Sequence, residues 1–167
     1  KDKGLVDKDL IVICNGFKRP QYIKNIADFL NSGWHNVIPV LDNKNELEDL
    51  DDLTEVPTNL GIRIAAEEEP SFDFYTSRLG IRYSDIIPFY KNGISKNPKF
   101  KLKMLHFFIN TGIRDTSYYW NELSRCLNLY CDLKQICPEL DSLNIGGGLP
   151  IKTSLTWDYD YKYMIEE

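Results

Sequence analysis

The chain has 167 residues, which is enough for one domain with a hydrophobic core and short for most two-domain enzymes. Its 20 basic and 25 acidic side chains give a formal charge of −5 at pH 7, and this argues against nucleic acid as a partner. The longest apolar run, residues 10–14, is far shorter than the roughly 20 residues that span a membrane. The 4 cysteines form no C-x-x-C pair, so we expect reduced, mostly buried thiols in a soluble, cytoplasmic protein.

Short apolar segments alternate with longer amphipathic segments along the whole chain. This pattern is typical of repeated βα units around a parallel sheet. Most of the short segments are continuous apolar runs, as expected for strands that are buried on both faces. The sequence therefore predicts parallel strands in the order 1-2-3-4-5, at residues 10–14, 36–41, 59–65, 101–109 and 142–145.

Four helices are predicted between these strands. Apolar residues at helical spacing from Tyr22 to Leu30 indicate a helix that ends before Gly33, and Asn43 and Glu46 have the spacing of a capping box. A short helix at 84–91 and a long amphipathic helix at 115–136 follow the third and fourth strands. We interpret the acidic residues of the second helix as a solvated face: Glu46, Glu48, Asp49, Asp51 and Asp52.

Three consecutive glycines follow the last predicted strand directly: Gly146, Gly147 and Gly148. Glycines allow unusual backbone dihedrals and let neighbouring N–H groups converge on an anion, so a phosphate is the natural ligand of this segment. The segment matches neither a Walker loop nor a G-x-G-x-x-G motif. A turn in which the glycines have only a steric role is the alternative.

Other polar residues lie at the carboxyl ends of the predicted strands, namely Asn15, Asp42, Arg63, His106 and Thr111. In a parallel sheet or barrel these positions face a single ligand site. Each also has a simpler interpretation, such as a helix-start residue, a buried ion pair or a hydrogen-bonded core histidine. The 2 histidines and the absence of a G-x-S-x-G or Cys/His signature give no support for a hydrolytic triad or a metal site.

Six motifs occur in order along the chain: Cys14-Asn15-Gly16-Phe17-Lys18-Arg19-Pro20, Asp42-x-x-x-Glu46-Leu47, Gly61-Ile62-Arg63-Ile64-Ala65, Thr76-Ser77-Arg78-Leu79-Gly80-Ile81, Leu105-His106-Phe107-Phe108 and Leu143-Asn144-Ile145-Gly146-Gly147-Gly148. They resemble the barrel of the biosynthetic arginine decarboxylases, which are pyridoxal-phosphate-dependent enzymes of the alanine-racemase-like barrel class. The resemblance runs from Leu10 to Glu167. It implies parallel βα units that form part of a (β/α)8 TIM-type barrel. It also implies the conversion of L-arginine to agmatine and CO2 in polyamine biosynthesis, with pyridoxal phosphate as cofactor and magnesium as a further ion.

The resemblance also implies which residues bind the cofactor. The three glycines match the phosphate loop of the family, Arg63 and Asp42 match positions beside the pyridine ring, and Thr111 matches a position near the phosphate. Many relatives stack a histidine on the ring, whereas this sequence has Phe108 there and His106 two residues earlier. A phenyl ring can stack but cannot hydrogen-bond. The implied set is Gly146, Gly147, Gly148, Arg63, Asp42, Thr111, Phe108 and His106.

The same resemblance places the cofactor-binding lysine upstream of Leu10. The acid that protonates the pyridine nitrogen and a second, β-rich domain are placed downstream of Glu167. We therefore expect a central barrel segment without a catalytic residue of its own, inactive in isolation and prone to homo-oligomerise through unpaired sheet edges. Two alternatives are another amino-acid decarboxylase or racemase on the same barrel, and a non-catalytic phosphate- or pyridoxal-phosphate-binding α/β module.

Overall fold

The computed structural model describes residues 9–66, 79–109, 116–147 and 160–166. Strands and helices alternate along these residues. The strands are β1 (Val12–Cys14), β2 (Val37–Leu41), β3 (Thr58–Ile64), β4 (Phe100–Phe107) and β5 (Ser142–Asn144). The helices are α1 (Pro20–Asn31), α2 (Glu46–Leu53), α3 (Tyr83–Asn92), α4 (Thr116–Ile136) and α5 (Tyr161–Glu166), with a 3-10 turn at Ile94–Lys96.

The five strands form one sheet in the order β1-β2-β3-β4-β5, and every neighbouring pair is parallel. The sheet curls into half of a barrel. This confirms the predicted strand order and the TIM-type architecture, because an open doubly wound sheet would reverse direction at a switch point. The parallel arrangement brings the carboxyl ends of all five strands to one edge of the sheet.

The two faces of the sheet have different partners. Leu60, Ile62 and Ile64 of β3 are fully buried in a large core between the sheet and the helices. On the inner face of the curl, Val40 of β2 and Met104 of β4 pack in a small separate cluster. Side chains of a strand alternate between its faces, so Arg63 projects toward the same inner face as this cluster.

The helix ends agree with their sequence signals. Pro20 occupies the first turn of α1, where a missing N–H costs nothing, and Gly33 follows its last turn with φ +88°. The predicted helix at 84–91 is found at Tyr83–Asn92, one residue longer at each end, and the described part of the predicted helix at 115–136 is Thr116–Ile136. None of the described helices is long and apolar enough to cross a membrane.

Candidate functional site

Four neighbouring strands contribute polar residues to one row at their carboxyl ends. Arg63 on β3 is paired in register with His106 on β4, and His106 is paired with Asn144 on β5. Asp42 follows the last residue of β2, and its Oδ1 lies 3.8 Å from Nη1 of Arg63. The convergence predicted from the strand ends is therefore present for Asp42, Arg63 and His106.

Asp42 is a buried carboxylate that accepts no hydrogen bond from the residues that the structure describes. Its side chain is 0% exposed, and no group in the described part of the chain donates a hydrogen bond to either carboxylate oxygen. Burial raises the pKa of Asp42 above its usual value, and the charges of Arg63 and Lys18 only partly oppose this shift. Buried polar groups in proteins are normally hydrogen-bonded, so an orphaned carboxylate beside a guanidinium points to a ligand that donates to it.

Arg63 links Asp42 to an aromatic ring. Its guanidinium carbon lies 5.7 Å from the centroid of the Phe108 ring, within the range of a cation–π contact. Its Nε is buried and donates to no acceptor within the described ranges. Arg63 therefore brings a fixed positive charge and an unused donor to the same place as the orphaned carboxylate.

His106 is buried and has a defined tautomer. Its Nδ1 lies 3.2 Å from the backbone carbonyl oxygen of Asn144. Because a carbonyl oxygen can only accept, Nδ1 carries the proton and Nε2 is left as an acceptor. Burial lowers the pKa of His106; the bond to Asn144 opposes this effect and the charge of Arg63 adds to it. These contacts are those of a hydrogen-bonded core histidine, the simpler of the two interpretations of this residue.

The glycine turn after β5 packs against the same cluster. Gly146 has φ +72°, and a Cβ built on it would lie 2.5 Å from the carbonyl oxygen of Phe107 and 3.3 Å from Phe108 Cδ2. Its N–H donates to Oδ1 of Asn144 at 2.9 Å. At Gly147, by contrast, a Cβ would meet no described heavy atom within 4 Å. The conformational need for glycine therefore lies at Gly146, and the open approach to the backbone lies at Gly147.

The structure thus connects the predicted residues in a chain of contacts that runs from Asp42 through Arg63 and Phe108 to Gly146. His106 lies in register beside Arg63. Gly148 and Thr111 lie outside the described residues, and so do residues 76–78 of the motif at 76–81.

The prediction of a solvated acidic face on α2 is wrong for Glu46. This residue is 2% exposed, and its Oε2 lies 3.1 Å from Nζ of Lys18, whose side chain is 0% exposed. Glu46 lies in the first turn of α2, five residues after the last residue of β2, and its side chain reaches the sheet edge. Helical spacing places Glu46 on the same face of α2 as the buried Leu50, but it does not indicate Lys18 as the partner. The hint for the pair is that both residues lie in the motifs that carry the resemblance.

The predicted capping box forms in part. Oδ1 of Asn43 accepts hydrogen bonds from the N–H groups of Asn45 and Glu46, at 3.0 and 3.2 Å. In a capping box the glutamate reaches back to the amide of the capping residue. Here the carboxylate of Glu46 instead accepts the N–H of Asp42 at 2.9 Å.

Magnesium has no evident ligand set in the described ranges. They contain no group of three or more His, Cys, Asp or Glu side chains that could hold a metal ion. The acidic side chains at the strand ends are a lone carboxylate beside an arginine and a carboxylate paired with Lys18. These residues therefore do not fit the ion that the resemblance implies.

Residues 4–161 match the family described as "Pyridoxal-dependent decarboxylase, pyridoxal binding domain". Among curated proteins, the chain is 26% identical over 160 residues to biosynthetic arginine decarboxylase 2 of Synechocystis, covering 90% of this chain and 23% of that protein. The chain thus spans about a quarter of the length of this relative.

Solved structures show the same fold. The structure of lysine decarboxylase from Selenomonas ruminantium matches with a TM-score of 0.76 at 18% identity, covering 96% of this chain and 40% of that one. Biosynthetic arginine decarboxylase from Campylobacter jejuni matches with a TM-score of 0.65 at 24% identity, covering 85% of this chain and 24% of that one. These likenesses show the fold, and the family match over residues 4–161 shows that the chain belongs to the pyridoxal-dependent decarboxylases and corresponds to their pyridoxal-binding domain.

Proposed function

We propose that the protein is a pyridoxal-phosphate-dependent arginine decarboxylase, which converts L-arginine to agmatine and CO2 in polyamine biosynthesis. This chain supplies the central part of its cofactor-binding barrel. One observation carries the proposal: the buried carboxylate of Asp42 has no hydrogen-bond donor among the described residues and lies beside Arg63, at the sheet edge that also holds the glycine turn.

The residues present fit pyridoxal phosphate. No described heavy atom lies within 4 Å of a Cβ built on Gly147, which leaves room for a phosphate, and Gly146 allows the turn that presents the backbone. Asp42 offers an acceptor and Arg63 a donor for polar groups of the pyridine ring, while Phe108 offers an aromatic surface. When bound, the cofactor supplies an electron sink for the negative charge left by the departing carboxylate. The role of the protein in this segment is to orient the cofactor and to place charge beside it.

Arginine as the substrate is supported by the curated relative from Synechocystis, whose name is biosynthetic arginine decarboxylase. The fold is shared with a lysine decarboxylase, so the fold itself does not select between these substrates. The residues that recognise the substrate are expected outside this chain, as the resemblance implies.

The test measures CO2 release by the full-length protein from arginine, lysine, ornithine and diaminopimelate, each with added pyridoxal phosphate. We expect kcat/KM for arginine to exceed the others by at least about a hundredfold, which corresponds to about 2.7 kcal/mol of discrimination. Faster release from another amino acid would overturn the substrate assignment. Release from none of them, by protein with bound cofactor, would overturn the assignment as a decarboxylase. The chain of residues 1–167 alone is expected to release no CO2.

We also propose that the protein is homo-oligomeric and cytoplasmic. In the chain of residues 1–167, Ile11 and Ile13 at the β1 edge of the described sheet are 62% and 37% exposed, and pairing with a second copy would cover this edge. The 4 cysteines are all free, as in a reducing compartment. Light scattering of the chain of residues 1–167 should report a dimer or larger species, and a monomer would contradict the proposed association. Cell fractionation should find the protein in the cytosol, and a membrane or secreted fraction would contradict the proposed location.

A further inference from the structure

Lys18 joins three elements at the edge where the site lies. Its ammonium donates to the carbonyl oxygen of Gly16 at 3.0 Å, to the carbonyl oxygen of Val40 and to Oε2 of Glu46 at 3.1 Å. An ammonium group has three N–H donors, so all of them are used. Lys18 therefore ties the turn after β1 to the end of β2 and to the start of α2.

Glu46 is equally saturated. Its Oε1 accepts the backbone N–H of Lys18 at 3.1 Å and Nδ2 of Asn43 at 3.2 Å. Its Oε2 accepts the backbone N–H of Asp42 at 2.9 Å and the ammonium of Lys18 at 3.1 Å. A carboxylate offers about four lone-pair sites, and each of them has a donor here. Glu46 thus has no remaining capacity for a ligand.

The neighbouring carboxylate shows the opposite pattern. The main chain of Asp42 is held on both sides, because its N–H donates to Glu46 and its carbonyl oxygen accepts the N–H of Gly80 at 2.9 Å. Its side-chain oxygens, in contrast, have no donor among the described residues. The two buried acids therefore have different roles. Glu46 fixes the backbone, and Asp42 has carboxylate oxygens that no described residue uses.

From this difference between the two carboxylates we infer that Glu46, paired with Lys18, is a positioning residue for the cofactor site. It holds the backbone of Asp42 and of the turn after β1 in the arrangement that places the Asp42 carboxylate beside Arg63. This inference rests on the proposed function, since it takes Asp42 to be a cofactor contact. Neither Glu46 nor Lys18 contacts the ligand in this account.

The simplest rival is that the pair only stabilises the fold. The two roles separate when both charges are removed together, because replacing a buried ion pair as a unit is often tolerated, whereas removing one partner leaves an uncompensated charge. Glu46→Gln leaves Lys18 unpaired. Lys18→Met/Glu46→Gln restores charge balance but leaves one amide oxygen to serve the N–H groups of both Asp42 and residue 18. Glu48→Gln, at an exposed position of the same helix, is the matched control.

The test uses the full-length protein, with thermal unfolding for stability and an absorbance titration with pyridoxal phosphate for affinity. We expect Glu46→Gln to lower both stability and affinity. In the double variant stability should return to near that of the wild type, while the affinity for pyridoxal phosphate stays at least about tenfold weaker. Glu48→Gln should change neither. A double variant that regains wild-type affinity along with its stability would overturn the positioning role.

Hydrogen exchange measured by mass spectrometry tests the role of Glu46 independently of whether the protein binds pyridoxal phosphate. If the wild-type protein binds no pyridoxal phosphate, the proposed function fails. The positioning role is then decided by exchange at the amides of Lys18 and Asp42, which donate to a buried carboxylate. Slow exchange in the wild type that accelerates in Glu46→Gln supports it. Fast exchange in the wild type, or rates unchanged in a folded variant, would overturn it without any ligand.

Discussion

Replacing Gly146 by alanine tests whether the turn after β5 is fixed by steric necessity. The residue has φ +72°, in the left-handed region that disfavours every side chain with a Cβ. A Cβ there would lie 2.5 Å from the carbonyl oxygen of Phe107, closer than real Cβ contacts allow, so the backbone must shift. The shift would act directly on Phe108, the next residue of that segment.

The expected loss of stability follows from two contributions. The left-handed conformation costs about 1–2 kcal/mol for a residue with a Cβ. Displacing the turn also weakens the hydrogen bond from Gly146 N–H to Asn144, which contributes about 1 kcal/mol. We therefore expect Gly146→Ala to lower the free energy of unfolding by about 2–3 kcal/mol. At Gly147 a Cβ meets no heavy atom of the described residues within 4 Å, so Gly147→Ala should stay within about 0.5 kcal/mol of the wild type.

Urea unfolding followed by circular dichroism measures both variants, and titration with pyridoxal phosphate measures a third, Gly147→Val. This last variant should fold normally yet bind the cofactor at least about tenfold more weakly, since its side chain would obstruct the approach of a phosphate to the backbone. Equal stability of Gly146→Ala and Gly147→Ala would refute the steric reasoning. Wild-type affinity in Gly147→Val would show that the glycines serve only the turn.

Three further predictions concern single side chains. Arg63→Met should lower the free energy of unfolding in urea by on the order of 3 kcal/mol, because Asp42 then loses the guanidinium beside it. The double variant Asp42→Asn/Arg63→Met should recover part of this free energy. An unchanged free energy of unfolding in Arg63→Met would contradict the pairing. Burial lowers the pKa of His106, so the unfolded state binds more protons as the pH falls through its ordinary value of about 6.5. The wild type should therefore lose stability faster than His106→Gln between pH 7 and pH 5, and parallel pH profiles would contradict this. A thiol reagent should label the exposed Cys131 in the native protein and reach the three buried cysteines only on unfolding. Burial also raises the pKa of Cys126 to about 12, which makes its thiol still less reactive. Equal labelling of all four cysteines in the native protein would be inconsistent with the structure.

The parallel sheet and the row of strand-end residues were predictable because both follow from local rules, whereas the barrel was implied only by the resemblance. Continuous apolar runs separated by amphipathic helices require a parallel sheet, and a parallel sheet brings all carboxyl ends to one edge. Asp42, Arg63 and His106 could therefore be assigned to one place without knowledge of their contacts. The turn at Gly146 was predictable in the same way, from glycines at a strand end.

The Lys18–Glu46 pair was not predictable, for a physical reason. Glu46 lies in a helix whose four other acidic residues are all exposed, namely Glu48, Asp49, Asp51 and Asp52. Its burial depends on a lysine 28 residues earlier in the chain, in a turn after a different strand. The steric difference between Gly146 and Gly147 could not be predicted from the sequence for a similar reason. It depends on the carbonyl oxygen of Phe107, which lies on the neighbouring strand.

The central claim is that the carboxyl edge of this sheet binds pyridoxal phosphate. A crystal structure of the full-length protein with added pyridoxal phosphate tests it most directly. We predict that the phosphate lies against the backbone of the glycine turn after β5 and that the carboxylate of Asp42 or the guanidinium of Arg63 contacts the ring. Pyridoxal phosphate bound elsewhere, with Asp42 still lacking a partner in the complete protein, would contradict the account.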